Sequence, residues 1–229
     1  MSDFLSFFIS YDAEGDSYSL TSGGMCALAI LILIAMLVAA IIANNKQQGI
    51  RFSAKVLAFS GVAIALAYIT SFIKYELPFG GSITLFSMLF ICLIGYWYGV
   101  KVGFITAFAF SILQFLQSGS TYFLSPFQIC CDYIFAFTAL GISGFFMDKK
   151  NGLLKGYILS ILIRGAFSTI AGYVYWMSYM PESFPKSISF LYPLVYNYTY
   201  ILAEGIATVI VISLPPVKKA LTSIKKITA

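Results

Sequence analysis

The sequence predicts an all-α integral membrane protein of seven spans, one N-terminal helix ahead of six more. Three observations lead there. The 229 residues are 60% hydrophobic and only 10% charged, with a mean hydropathy of +0.90, whereas a soluble domain carries about 25% charged residues. The apolar residues gather in runs of about 17–25, the length a helix needs to cross a hydrocarbon core of roughly 30 Å. Lys and Arg fall in short segments between these runs, so the formal charge of +5 reports topology rather than nucleic-acid binding. Most of the chain lies in the bilayer, with no room for a separate soluble domain.

Residues 1–22 are polar and acidic (Asp3, Asp12, Glu14, Asp16) and read as an exposed tail. The extra helix occupies 23–44, where Met25 to Ala43 is an unbroken apolar run. A cleaved signal peptide would need a basic start and a shorter core, so this run reads as an uncleaved anchor. Six further spans are expected at 53–73, 83–99, 101–117, 127–147, 154–178 and 193–213, followed by a basic tail over 214–229. With the N-terminus outside, Lys46, Arg51, Lys55, Lys101, Lys149, Lys150, Lys155, Lys218, Lys219, Lys225 and Lys226 lie on the cytoplasmic side. Only Lys74 and Lys186 fall outside, and Arg164 lies within a span. That asymmetry sets the expected orientation.

The chain has no His, which removes the commonest metal ligand and the usual general base. Cys26, Cys92, Cys130 and Cys131 lie in apolar spans without zinc or disulfide spacing and read as small lipid- or core-facing residues. No phosphate-binding loop G-x-x-x-x-G-K-[ST] and no nucleophile–base pair are present, so neither a cofactor nor an enzyme is expected. What stands out instead is Asp132, a carboxylate inside an apolar span. Such a group costs at least a few kcal/mol to insert and usually faces a protein interior or a wet cavity. Tyr133 follows it, and two other spans bring Trp176, Tyr192, Tyr196, Asn197 and Glu204. In the expected orientation, Asp132, Trp176, Tyr192 and Asn197 converge on the outer third of the membrane. Negative charge among aromatic rings there points to a pocket for a cationic, ring-containing solute. Other readings stay open: aromatics near helix ends form interfacial belts, Asp132 could pair with Arg164, and Glu204 could serve as a proton-relay carboxylate.

Four local strings resemble the thiamine-specific substrate-binding (S) component of energy-coupling-factor (ECF) vitamin transporters. The first is Pro78-Phe-Gly-Gly-Ser-Ile-Thr-Leu-Phe-Ser-Met88. The second is Ser125-Pro-Phe-Gln-Ile-Cys-Cys-Asp-Tyr-Ile-Phe-Ala-Phe-Thr-Ala-Leu-Gly-Ile-Ser-Gly-Phe-Phe146. The third runs Arg164-x-x-x-Ser168-x-x-x-Gly172-x-x-x-Trp176-x-x-Tyr179, and the fourth Tyr192-x-x-x-Tyr196-Asn197-x-x-Tyr200-x-x-x-Glu204. Their order and spacing match over about 53–213, which the resemblance makes a six-helix substrate-binding domain. It implies that Asp132 faces the thiazolium cation, that Tyr133 and Trp176 are pocket aromatics with Trp176 stacking on a ligand ring, and that Tyr122 contacts the ligand from an outer loop. It also implies that Tyr192 and Asn197 form the polar pair reaching the ligand from the last helix. Ser168 and Ser125 stand where the family often has His, Gly95-Tyr-Trp-Tyr-Gly99 where a basic pair usually precedes Gly, and the N-terminal span has no counterpart in the usual six-helix family. A related pyrimidine or thiazole compound is therefore an alternative ligand.

The resemblance also implies partners, a transmembrane coupling subunit and two ATPase subunits. On the second span, Gly61-x-x-x-Ala65 presents small side chains four apart, a stripe that lets another helix approach closely. Intramolecular packing would use the same stripe. Two rivals from other classes are a self-sufficient proton-coupled secondary transporter using Asp132 and Glu204, and a ligand-free membrane assembly protein.

Overall fold

The structure, a computed structural model, describes residues 53–78, 81–118 and 124–228, with 7, 9–12, 17–24, 26–27 and 30 nearer the N-terminus. The predicted span 25–43 therefore lies outside the described residues apart from Cys26, Ala27 and Ile30, and so does Tyr122. Within the predicted polar tail, Ile9–Asp12 (β1) and Ser17–Leu20 (β2) pair as an antiparallel hairpin with Ile9 opposite Leu20.

Six apolar helices follow among the described residues. They are α1 (Ala54–Phe72), α2 (Ser87–Tyr98), α3 (Val100–Ser118), α4 (Pro126–Phe146), α5 (Gly152–Tyr179) and α6 (Tyr192–Ser213). A seventh, α7 (Pro215–Thr228), is basic and amphipathic, so the predicted basic tail is helical. Five of the apolar helices, α6 counted with the 3-10 turn Lys186–Leu191 before it, are long enough to cross a membrane. Lipid favours this architecture because helices satisfy their own backbone hydrogen bonds.

The exception is α2, whose 12 residues rise only about 18 Å. The sequence reading starts this span at 83; the structure starts it at Ser87. The difference has a local cause. Ser82–Thr84 (β4) pairs antiparallel with Lys74–Glu76 (β3), and Phe86 then takes a left-handed φ of 62° before the helix begins. Lys74 Nζ lies 2.8 Å from Glu76 and holds that exposed carboxyl below the usual carboxylate range.

The central element is α4, packed against α2, α3 and α5. The approach to α3 is close: a Cβ on Gly141 would sit 2.6 Å from the Phe104 nitrogen, and one on Gly144 would sit 2.5 Å from the Val100 nitrogen. Backbones that touch in this way maximise van der Waals packing, the force that holds helices together in lipid. Met88, Ile91, Phe110, Leu140, Tyr157 and Ile201 fill the common core. The outward face of α1 is the reverse, with Leu57, Val62, Leu66, Ile69 and Phe72 all exposed. Apolar side chains turned outward are what a lipid-facing helix requires.

Neither α4 nor α5 is regular. A π-helical segment, Cys130–Phe135, interrupts α4, and another, Gly172–Trp176, interrupts α5. Asp132 lies in the first and Trp176 in the second. Insertions of this kind occur often at functional sites because they re-aim one turn of side chains.

Candidate functional site

The two π segments face each other across a cavity of about 130 Å³. Its acidic wall is built from the start of α4. Ser125 caps that helix, accepting from Gln128 N at 3.1 Å, and Pro126 follows it in the first turn. One turn on, the fully buried Gln128 accepts from Leu124 N at 3.3 Å through Oε1 and donates to Asp132 Oδ2 at 2.7 Å through Nε2. Trp176 Nε1 donates to the same oxygen at 3.2 Å. Both hydrogen bonds to Asp132 among the described residues thus fall on Oδ2, and Oδ1 is the atom left for a ligand. Asp132 does not pair with Arg164; among the described residues the one ion pair is Lys74–Glu76.

Arg164 also lines the cavity, but its guanidinium is turned toward the floor. It lies 4.3 Å from the centre of the Phe137 ring, and Nη1 lies 2.6 Å from Met88 Sδ. Its charge acts on Glu204. Glu204, expected among the ligand-contacting residues, is not in the cavity wall. It is almost fully buried beneath β4, where Oε2 accepts from Thr84 N at 3.1 Å and from Thr84 Oγ1 at 2.6 Å. Oε1 lies 3.4 Å from Met88 N. The lining thus holds one carboxylate, Asp132, and one guanidinium, Arg164, whose charge is shared with Glu204 buried behind the wall.

The remaining walls are aromatic and amide. Tyr133, Ser168, Trp176, Tyr192 and Asn197, all singled out from the sequence, line the cavity. Asn197 is engaged internally: Nδ2 donates to Pro193 O at 2.8 Å and Ser168 O at 3.3 Å, and Oδ1 accepts from Tyr200 at 2.7 Å. It therefore shapes the wall and offers one remaining lone pair on Oδ1. Trp176 stands 5.5 Å from Tyr179, ring centre to ring centre. Tyr192, Tyr196 and Tyr200 follow one another down α6 with ring centres 5.8 and 5.9 Å apart, the first pair tilted and the second edge-on.

Above them sits the β3–β4 turn. Tyr196 donates to Pro78 O and accepts from Gly81 N at 2.9 Å. Gly81 is required there, since a Cβ would meet the Tyr200 ring at 2.7 Å. Sequence reasoning did not assign Gln114, Phe137, Tyr179 and Tyr200 to the wall, yet they belong to it. Two signals could have found some of them. Tyr192, Tyr196 and Tyr200 recur every four residues, one face of a helix, and Gln114 is an amide within an apolar span. Gln114 Nε2 donates to Ser71 at 3.1 Å and Gln117 at 2.8 Å, joining α1 to α3.

A polytopic helical bundle with a charged, aromatic-walled cavity near one end, and no nucleophile–base pair among the cavity residues, defines a solute-handling membrane protein. The sequence profile of the thiamine transporter protein family (Thia_YuaJ) matches residues 57–224, and the chain belongs to that family. It is a multi-pass membrane transporter and not an enzyme. Thiamine transporter ThiT of Bacillus subtilis (strain 168) is 32% identical over 184 residues, covering 75% of this chain and 92% of that one. A solved structure of ThiT from Listeria monocytogenes shares the fold with a TM-score of 0.59 at 22% identity, covering 70% of this chain and 94% of that one.

Proposed function

We propose that the protein captures thiamine from outside the cell and serves as the membrane S component of an ECF-type transporter, depending on a coupling subunit and two ATPase subunits. The observation that carries this reading is Asp132: one oxygen is held by Gln128 and Trp176, the other has no partner among the described residues, and the residue lines a cavity walled by Tyr133, Trp176 and the tyrosines of α6. Thiamine is a monocation with two aromatic rings. A carboxylate with no ion pair among the described residues matches its charge, and each cation–π contact adds about 0.5–2 kcal/mol. The other predicted contacts, Ser168, Tyr192, Asn197 and the loop residue Tyr122, complete the proposed ligand shell, with Glu204 supporting it from below.

The Lys distribution supports an outside N-terminus and a cytoplasmic C-terminus. Gly61 and Ala65 support the coupling role: both are exposed on α1, and a Cβ on Gly61 would meet nothing within 4 Å among the described residues. A proton relay through Asp132 and Glu204 draws no support here, because the bonds of Glu204 go to Thr84 and Met88.

The test is a titration with thiamine, and with its separate pyrimidine and thiazole halves, followed by tryptophan fluorescence. Trp97 and Trp176 are the only indoles in the chain. Quenching that survives Trp97→Phe and vanishes in Trp176→Phe is expected. Absence of binding at micromolar thiamine would overturn the ligand assignment, and tighter binding of one half would replace it.

A further inference from the structure

A second cavity, of about 230 Å³, lies at the other end of the bundle. It is built where α5 begins and α6 ends, so it sits at the depth where spanning helices leave the hydrocarbon. Along α6 the helical rise from Tyr200 to Ile212 separates it from the aromatic pocket by roughly 18 Å.

Its walls divide by chemistry. Leu153, Leu154, Ile212 and Leu221 make an apolar side, whereas Asn151, Ser213, Lys218 and Thr222 make a polar rim. The roof is α7. After Leu214 leaves helical geometry at ψ 130°, Pro215 and Pro216 start a new helix. Val217, Leu221 and Ile224 of that helix are half-buried, while Lys218, Lys219 and Lys226 are exposed. Lys225 has a separate task. Its ammonium lies 3.9 Å from the Tyr96 ring centre and donates to Met147 O at 2.5 Å, fastening α7 to the turn after α4. Lys149, Lys150 and Lys155 are exposed on the segment that opens α5. Across residues 145–160 and 213–228, Asp148 is the one acid.

The Thr222 hydroxyl donates to Lys218 O at 2.7 Å, which leaves the Lys218 ammonium as the charged donor on the rim. We infer that this cavity binds an anionic phospholipid, with the headgroup phosphate at Lys218 and an acyl chain along Leu153, Leu154 and Leu221. Neither half of the cavity alone would require this. A water-borne anion has no use for the apolar wall, and a neutral lipid has none for the lysines. Basic pockets between spanning helices are a recurrent form of headgroup recognition, and lysines near the surface add attraction to an acidic leaflet. The inference is independent of the ligand in the other pocket.

The experiment uses the full-length chain in neutral detergent with phosphatidylglycerol, phosphatidylcholine or inorganic phosphate added. Bound lipid is read by native mass spectrometry and the melting midpoint by thermal unfolding. Phosphatidylglycerol should be retained and should raise the midpoint, whereas phosphatidylcholine and inorganic phosphate should not. Lys218→Gln should weaken phosphatidylglycerol retention by about five- to tenfold, and Lys186→Gln at the opposite end should leave it unchanged. Lys218 is exposed, so both Lys218→Gln and the charge reversal Lys218→Glu should fold, and the reversal should weaken retention further. Equal retention of both lipids, or unchanged retention in the Lys218 variants, overturns the proposal. A midpoint raised as much by inorganic phosphate would make this a free-anion site and also overturn it.

Discussion

Asp132 on α4 and Glu204 on α6 each place one carboxylate in an apolar span, and the fold treats them in opposite ways. Glu204 spends both oxygens on the β4 strand and the start of α2, and the charge of Arg164 acts on it. Asp132 lines a cavity and has both of its partners among the described residues on one oxygen. A buried carboxylate with all its acceptors used is a structural pin, whereas one with a spare acceptor and no ion pair is prepared for a cation. The number of internal partners, rather than depth or residue type, separates the two roles.

The sharpest way to break this comparison is Glu204→Ala. It would leave the Thr84 and Met88 donors unmet and remove the carboxylate on which Arg164 acts, at about 1–3 kcal/mol for each buried donor left unsatisfied. Thermal unfolding in detergent should show a large fall in midpoint, and wild-type melting would refute the pin. Next comes Asp132→Asn, which should leave the midpoint near wild type because an amide is easier to bury than an unpaired carboxylate. Thiamine affinity should drop about ten- to hundredfold, for an attraction of about 1–3 kcal/mol. Unchanged binding in a well-folded variant would remove the charge argument.

Gln128→Leu sharpens the comparison from outside the carboxylate. It removes one hydrogen bond from Asp132 and frees the carboxylate to turn, so affinity should weaken by about threefold to tenfold, in line with roughly 0.5–1.5 kcal/mol per hydrogen bond. A loss as large as that of Asp132→Asn would mean that Gln128 touches the ligand itself. Tyr196→Phe severs the tie to Pro78 and Gly81 and should raise the thiamine dissociation rate in stopped-flow measurements by a few-fold, again the scale of one hydrogen bond. The smallest effect on the isolated protein belongs to Gly61→Leu. Its side chain points into open space, so affinity and midpoint should stay at wild type while co-purification with a coupling subunit is lost. Unimpaired co-purification would place the partner elsewhere.

Much of the fold was legible. The predicted spans 53–73, 101–117, 127–147, 154–178 and 193–213 lie within two residues of α1 and α3–α6 at nearly every end. The second span was not, because Ser82–Thr84 runs directly into the apolar residues of α2 but is claimed by the partner strand Lys74–Glu76. The site was legible in part. Asp132, Tyr133, Ser168, Trp176, Tyr192 and Asn197 were named from the sequence and line one cavity. Glu204 carried the same signal as Asp132 and lies outside that wall. The helix-breaking π segments left no mark in composition, since Cys-Cys-Asp-Tyr-Ile-Phe suits a regular helix equally well.

The sequence by itself determined that the chain lives in lipid, where most of its helices run, and which few polar groups had to be explained. Each of these depends on the solvent preference of about 20 consecutive side chains, a local sum that needs no knowledge of the rest of the chain. Only the tertiary structure decided which carboxylate is pinned and which is open. That outcome rests on hydrogen-bond partners far apart in the chain: Trp176 lies 44 residues from Asp132, and Thr84 lies 120 residues from Glu204. Whether a polar group is satisfied is settled by what the fold brings within about 3 Å of it, and no local property of the sequence encodes that.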